Sequence, residues 1–263
     1  MAKLFQPIAF RNLEVRNRVA IAPMCQYSCD GLDGVVNEWH YVHYTELAKG
    51  GAGLIIAEAS GVNAVGRITP WCAGIWNDEQ VAAWARIADS VHGYGAKFGI
   101  QLAHAGRKAS THRPWSGSGS IGLDEGGWPT VSSTDQPFPG YASPNRLSAG
   151  EIDEVVNDFA SAAKKAVTAG FDLVEIHAAH GYLMHQFLSP LANDRTDEYG
   201  GSLENRARLL LRVVAAVREV VGELPVLVRF SATDWLEGGF TPAECATVAA
   251  WCESAGVDGF DIS

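Results

Sequence analysis

The feature that most constrains this chain is the recurrence of short apolar runs between stretches of helical spacing. The runs are RVAIAP (18–23), GLIIAEA (53–59), KFGIQLA (97–103), DLVEIH (172–177), PVLVRFS (225–231) and DGFDIS (258–263). Each is rich in Val, Ile or Leu, as strands covered on both faces are. Between them, DEQVAAWARIADSVHGY (78–94) places apolar residues three and four apart, the stripe of an amphipathic helix. Ser148 and Glu151 form a capping box ahead of a long helical pattern, and Thr241 and Glu244 repeat it with Pro242 at the first helical position. Gly170 and Gly256 stand where a helix end needs a left-handed residue.

Repeated βα units imply a parallel sheet with right-handed crossovers. An open dinucleotide fold would need its glycine-rich turn between the first strand and helix. The GxGxxG pattern from Gly117 to Gly122 lies between RPWS and LDEGGWP, neither strand nor helix, and reads as loop. The predicted fold is therefore α/β, a (β/α)8 TIM barrel with about six βα units present, forming a single domain over residues 1–263. The Gly-, Ser- and Pro-rich segment 106–147 is too long for an idle connection and is expected to be a lid or binding loop.

Composition narrows the partners. A hydrophobic content of 47 % supplies a sizeable core, and a net charge of −10 argues against nucleic acid and anionic membranes. No run approaches a membrane span, and the N-terminus carries no signal-peptide core. The cysteines, five in all, contain no CxxC pair, which suits a reduced, cytoplasmic protein.

In such barrels the chemistry sits at the C-terminal ends of the strands. Those ends carry Pro23, Met24, Cys25, Gln26 and Tyr27; Glu58 and Ala59; Gln101 and His104, then Arg107 and Lys108; His177 and His180, then Tyr182; and Arg229. A lone histidine at a strand end is more often a hydrogen-bonded core residue than a catalyst. An amide inside an apolar strand, as at Gln101, must find partners. His177 and His180 could ligate zinc, but no Glu stands between them as in HExxH and no third ligand is obvious nearby.

The stretches APMCQYS (22–28), GLIIAEASGVNAVGRIT (53–69), GIQLAHAGRKAS (99–110), EIHAAHGYLMHQFLSPLANDRTDEYGGSLENR (175–206) and VLVRFS (226–231) resemble the Old Yellow Enzyme family of flavin ene-reductases. The likeness is greatest to its thermophilic-like, xenobiotic reductase subgroup. It implies FMN as cofactor, NADPH or NADH as hydride donor, and a small α,β-unsaturated substrate. By the match, Pro23, Met24 and Cys25 line the flavin, Ala59 and Gln101 bond its pyrimidine edge, and Arg229 lies where charge gathers on reduction. His177 and His180 resemble the pair that grips the substrate oxygen, His177 also bordering the cofactor. Tyr182 resembles the proton donor and Tyr27 the phenol that closes over the ligand. His185 matches no known role and is expected to be structural. The resemblance also implies a homo-oligomer, dimer or tetramer, in the complete protein.

The family barrel has eight strands and holds the flavin phosphate after the last two. Six runs are present up to Ser263, so residues 1–263 are expected to hold FMN weakly and to associate through open sheet edges. Two alternatives stand beside the ene-reductase: an inactive or partner-dependent barrel fragment, and the barrel domain of a dienoyl-CoA-reductase-like flavoprotein.

Overall fold

A computed structural model describes residues 2–263. Six parallel strands form the central sheet: β1 (Ala20–Ile21), β2 (Leu54–Gly61), β3 (Lys97–Ala103), β4 (Leu173–Ala178), β5 (Val226–Phe230) and β6 (Gly259–Ile262). They lie side by side in chain order, with β1 and β6 at the edges. Every apolar run therefore becomes a strand. The first shrinks to its central pair, because the chain from Ala22 onward leaves the sheet into an irregular turn.

Helices fill the crossovers: α1 (Glu38–Lys49), α2 (Asp78–Gly93), α3 (Ala149–Thr168), α4 (Leu183–Leu188), α5 (Leu203–Val221) and α6 (Pro242–Ser254). The expected capping boxes form at Ser148 and Thr241. Gly170 and Gly256 take φ of +87° and +105° just beyond the ends of α3 and α6, as the sequence predicts.

Alternation along the strands divides the core. Phe98, Ile100, Leu102, Val174, Ile176, Val226 and Val228 pack under the helices. The other face carries Leu54, Ile56, Leu173 and Leu227 near the strand starts, covered by an N-terminal hairpin of Ile8–Phe10 and Leu13–Val15. Close packing there leaves no room at Gly99, where a Cβ would sit 2.5 Å from Leu173 Cδ1. Further along the same face the side chains become polar: Gln101 opposes Glu175, and His177 opposes Arg229, which opposes Asp261.

The motif NDRTDEYGGS after α4 proves to be scaffold. Asn193 Nδ2 donates to the carbonyls of Phe187 and Tyr199 at 2.7 and 2.8 Å. Arg195 donates to Leu147 O at 2.7 Å, and Arg206 spans from Leu188 O to Glu244, 2.6 Å away. The end of the long segment 106–147, α4, α5 and α6 are thereby tied together around the loop that follows β4.

Candidate active site

The two histidines and the phenol come together on the loop leaving β4. His177 ends that strand and is buried; His180 turns back on a left-handed backbone, φ +60°. The rings of His177 and His180 are 5.1 Å apart, and those of His177 and Tyr182 5.0 Å, both edge to face. The Ala179 amide donates to His177 Nδ1 at 3.1 Å, which leaves the proton of the neutral ring on Nε2. Ser231 Oγ accepts the His180 amide at 2.9 Å and pins the turn to the end of β5.

Burial, His180 and Arg229 hold His177 well below the ordinary imidazole range. Burial and the cations Arg229 and Lys108 also lower His180. Both rings are therefore neutral near pH 7. Burial, with Cys25 and Tyr27 nearby, pushes the Tyr182 phenol well above its usual value and keeps its proton in place.

Cys25, Tyr27 and Tyr182 pack against one patch made by Ile68, Cys72, Ala105 and Ala109. The turn after β1 and the loop after β4 thus face each other across the start of the long segment. Cys25 is half-buried; burial, Cys72 and Glu58 raise its thiol, so it stands protonated. Tyr27 is left-handed, φ +51°, with its ring 5.9 Å from Trp115 and its carbonyl facing Arg113 Nη1 at 3.4 Å. Met24 is exposed at the rim.

On the inner sheet face, Ala59 opposes Gln101, where a bulge at Ala57 to Ala59 re-aims the end of β2. Gln101 Nε2 donates to Glu175 Oε1 at 2.8 Å, and among the described residues no protein group donates to the amide oxygen. Arg229 reaches Pro23 O through Nη1 at 3.4 Å, which joins β5 to the first turn. Its Nε lies 3.2 Å from Asp261 Oδ2 but off the N–H direction, and has no aligned acceptor. A free amide oxygen and an unsatisfied guanidinium edge suit the alternating N–H and C=O groups of a flavin pyrimidine, so the residues present fit that cofactor.

Sequence reasoning placed Glu58 at the end of β2 without giving it a role; it is fully buried, with Oε2 accepting from the Gln26 amide of the Cys25 turn. It missed two further groups. Glu175 carries a buried oxygen without a partner, and burial, with Asp261, raises it to about 8. Gln186 on α4 accepts from Arg107 N and Ser132 Oγ and donates to the carbonyls of Ala105 and Gly181, so it ties the long segment to the β4 loop. A polar residue within the apolar helix LMHQFL was the available signal for it. His185 is buried as expected, with Nε2 2.9 Å from Asp234 Oδ1 but poorly aligned and Nδ1 accepting from Gly181 N. The segment 117–122 is irregular loop. Among the described residues no three His, Cys, Asp or Glu side chains converge as metal ligands, and no helix is long and apolar enough to cross a membrane.

A profile described as the NADH:flavin oxidoreductase / NADH oxidase family matches residues 3–263. An NADPH dehydrogenase of Listeria innocua is 44 % identical over 263 residues, all of this chain and 73 % of that protein. One from Bacillus subtilis is 44 % identical over 261 residues, 99 % of this chain and 73 % of that protein. Among solved structures, morphinone reductase in complex with tetrahydroNAD superposes with a TM-score of 0.86 at 32 % identity, covering 100 % of this chain and 74 % of that one. A 2-naphthoyl-CoA reductase complex gives a TM-score of 0.89 at 30 % identity, covering 99 % of this chain and 40 % of the other. The old yellow enzyme homologue from Zymomonas mobilis gives 0.85 at 31 %, covering 99 % and 73 %. The sheet is thus part of a (β/α)8 barrel.

Proposed function

Since the chain belongs to the NADH:flavin oxidoreductase / NADH oxidase family, that of Old Yellow Enzyme, and is an FMN-dependent NAD(P)H oxidoreductase, we propose that it reduces alkenes conjugated to a carbonyl or nitro group. FMN, when bound, carries the hydride that no side chain can carry. The chain's own residues then bind, orient and protonate.

Gln101 and Ala59 would hold the pyrimidine edge of FMN, and Arg229 would supply the positive charge beside it. Pro23, Met24 and Cys25 border the ring, and the protonated Cys25 thiol adds no charge beside it. His177 and His180 hold the substrate oxygen as neutral N–H donors. Hydride addition at the β-carbon drives charge onto that oxygen, and donors fixed in advance stabilise it without reorganising. Tyr182 gives its proton to the α-carbon, and Tyr27 closes over the ligand from the opposite turn.

The observation that carries this reading is the convergence of buried His177, exposed His180 and half-buried Tyr182: two neutral donors beside a phenol held protonated. A metal site would need anionic or converging ligands; an enolate site needs neutral donors and an acid. NADPH consumption that depends on 2-cyclohexen-1-one under anaerobic conditions, with the saturated ketone as product, tests it.

A further inference from the structure

The turn at 23–28 carries four of the proposed site residues, Pro23, Met24, Cys25 and Tyr27, yet among the described residues none of its amides is bonded to another backbone group. Its carbonyls are held by side chains: Pro23 by Arg229, Met24 by Gln26, Gln26 by Ser28, Tyr27 by Arg113 and Ser28 by Asn37. On the amide side, Glu58 Oε2 accepts the Gln26 N–H at 2.8 Å. The other oxygen is fixed from α1: Tyr44 Oη donates to Oε1 at 3.2 Å and accepts the Glu58 amide at 3.0 Å. His40 Nε2 lies 3.5 Å from Oε1, and its Nδ1 accepts from Asn37 N. The carboxylate therefore sits between a helix-borne clamp and a turn whose Tyr27 is in a left-handed conformation that needs external support.

We propose that Glu58 is a positioning residue: by gripping the amide of Gln26 between Cys25 and Tyr27 it fixes the turn that sets those two residues at the mouth of the site. It touches neither substrate nor cofactor in this role. Above about pH 7, where it is ionised, a carboxylate held by a phenol and a backbone amide anchors the turn more stiffly than a neutral acceptor would, because charge-assisted hydrogen bonds are the stronger ones.

The groups facing Glu58 are His40 and Tyr44 from α1, Cys25, Tyr27 and Cys29 from the turn and its continuation, and Cys72 from the segment after β2. Among the described residues no Lys or Arg pairs with it. Once ionised, above about pH 7, its charge acts on the neighbouring thiol without a cation to cancel it, and opposes ionisation of Cys25.

The importance attached to Cys25 and Tyr27 rests on the proposed reaction, but the test involves no turnover, so the two can fail separately. Two variants divide reach from charge. Glu58→Asp keeps the charge and shortens the arm; Glu58→Gln keeps the shape and removes the charge. Hydrogen exchange is read at the amide of Gln26 and across β2 and β3. Alkylation of Cys25 by iodoacetamide is read by peptide mass against pH.

Glu58→Asp should speed exchange of the Gln26 amide by about tenfold or more while β2 and β3 keep wild-type protection. Glu58→Gln should move the Cys25 alkylation profile to lower pH. Turn exchange unchanged in Glu58→Asp, loosening of β2 and β3 to the same extent, or a Cys25 profile unmoved in Glu58→Gln would overturn the assignment.

Discussion

His177 Nε2 lies 3.3 Å from His180 Nδ1, and His180 Nε2 lies 2.9 Å from Ser263 Oγ. With the Ala179 amide donating into His177 Nδ1, that ring carries its proton on Nε2, and the lowered values of both rings keep each neutral with one N–H. It works as two N–H groups, not as two cations.

The first prediction follows from that neutrality. A para-substituted phenolate mimics the charged substrate oxygen and should give a long-wavelength charge-transfer band with the FMN-loaded protein. His177→Ala or His180→Ala should weaken its binding by about tenfold or more, as loss of a hydrogen bond to a charged group does. Binding of a neutral enone should show no inflection near pH 6.5, the ordinary histidine value. Titration of the band and enone KM across pH check both.

Tyr182 separates the half-reactions. Tyr182→Phe should slow alkene reduction by about 10²–10⁴-fold and leave flavin reduction by NADPH nearly intact. Stopped-flow measurement of each half decides this; equal slowing of both would make Tyr182 a packing residue.

Much of this arrangement is legible in the sequence, because strands covered on both faces and helices with capping boxes leave local signatures. The six runs, the caps at Ser148 and Thr241 and the polar strand ends all have that origin. What escapes is what local pattern does not encode. The hairpin Ile8–Phe10 and Leu13–Val15 consists of three-residue strands about a left-handed Arg11, too short to show a period. Helix α1, EWHYVHYTELAK, buries His40 and Tyr44 in place of an aliphatic stripe, since its inner face serves Glu58. Gln186 and Glu175 look like polar intrusions until tertiary contacts supply their partners.

Gln186 gives the third prediction. It satisfies polar groups on three segments at once, so Gln186→Leu should leave them buried and unpaired at a cost of about 1–3 kcal/mol. Gly106→Ala should act on the same joint, because a Cβ there would fall 2.2 Å from Gln186 Oε1 on a backbone with φ +61°. Both variants should raise KM for the alkene more than they lower the unfolding midpoint of the whole chain, as enone kinetics beside urea denaturation will show.

Stability against pH is the fourth. Burial pushes His40 and His104 down to about 4 and lowers His43, His177 and His180 as well. The unfolded histidines take up protons below about pH 6.5 while the folded ones do not, so stability is lost as pH falls through that window. Burial raises Glu58 to about 7 and Glu175 to about 8. There the folded state keeps protons that the unfolded state has released, so stability also falls as pH climbs toward those values. A maximum between about pH 6 and 7 is expected, with Glu175→Gln flattening the alkaline side. Denaturant titrations on either side of the maximum check it.

The most direct test of the central claim is a two-step anaerobic experiment on the FMN-loaded protein. NADPH should bleach the visible flavin band, and 2-cyclohexen-1-one added afterwards should restore it, with the saturated ketone appearing in proportion to the flavin. A band that NADPH bleaches but the enone leaves bleached would contradict the proposed reaction.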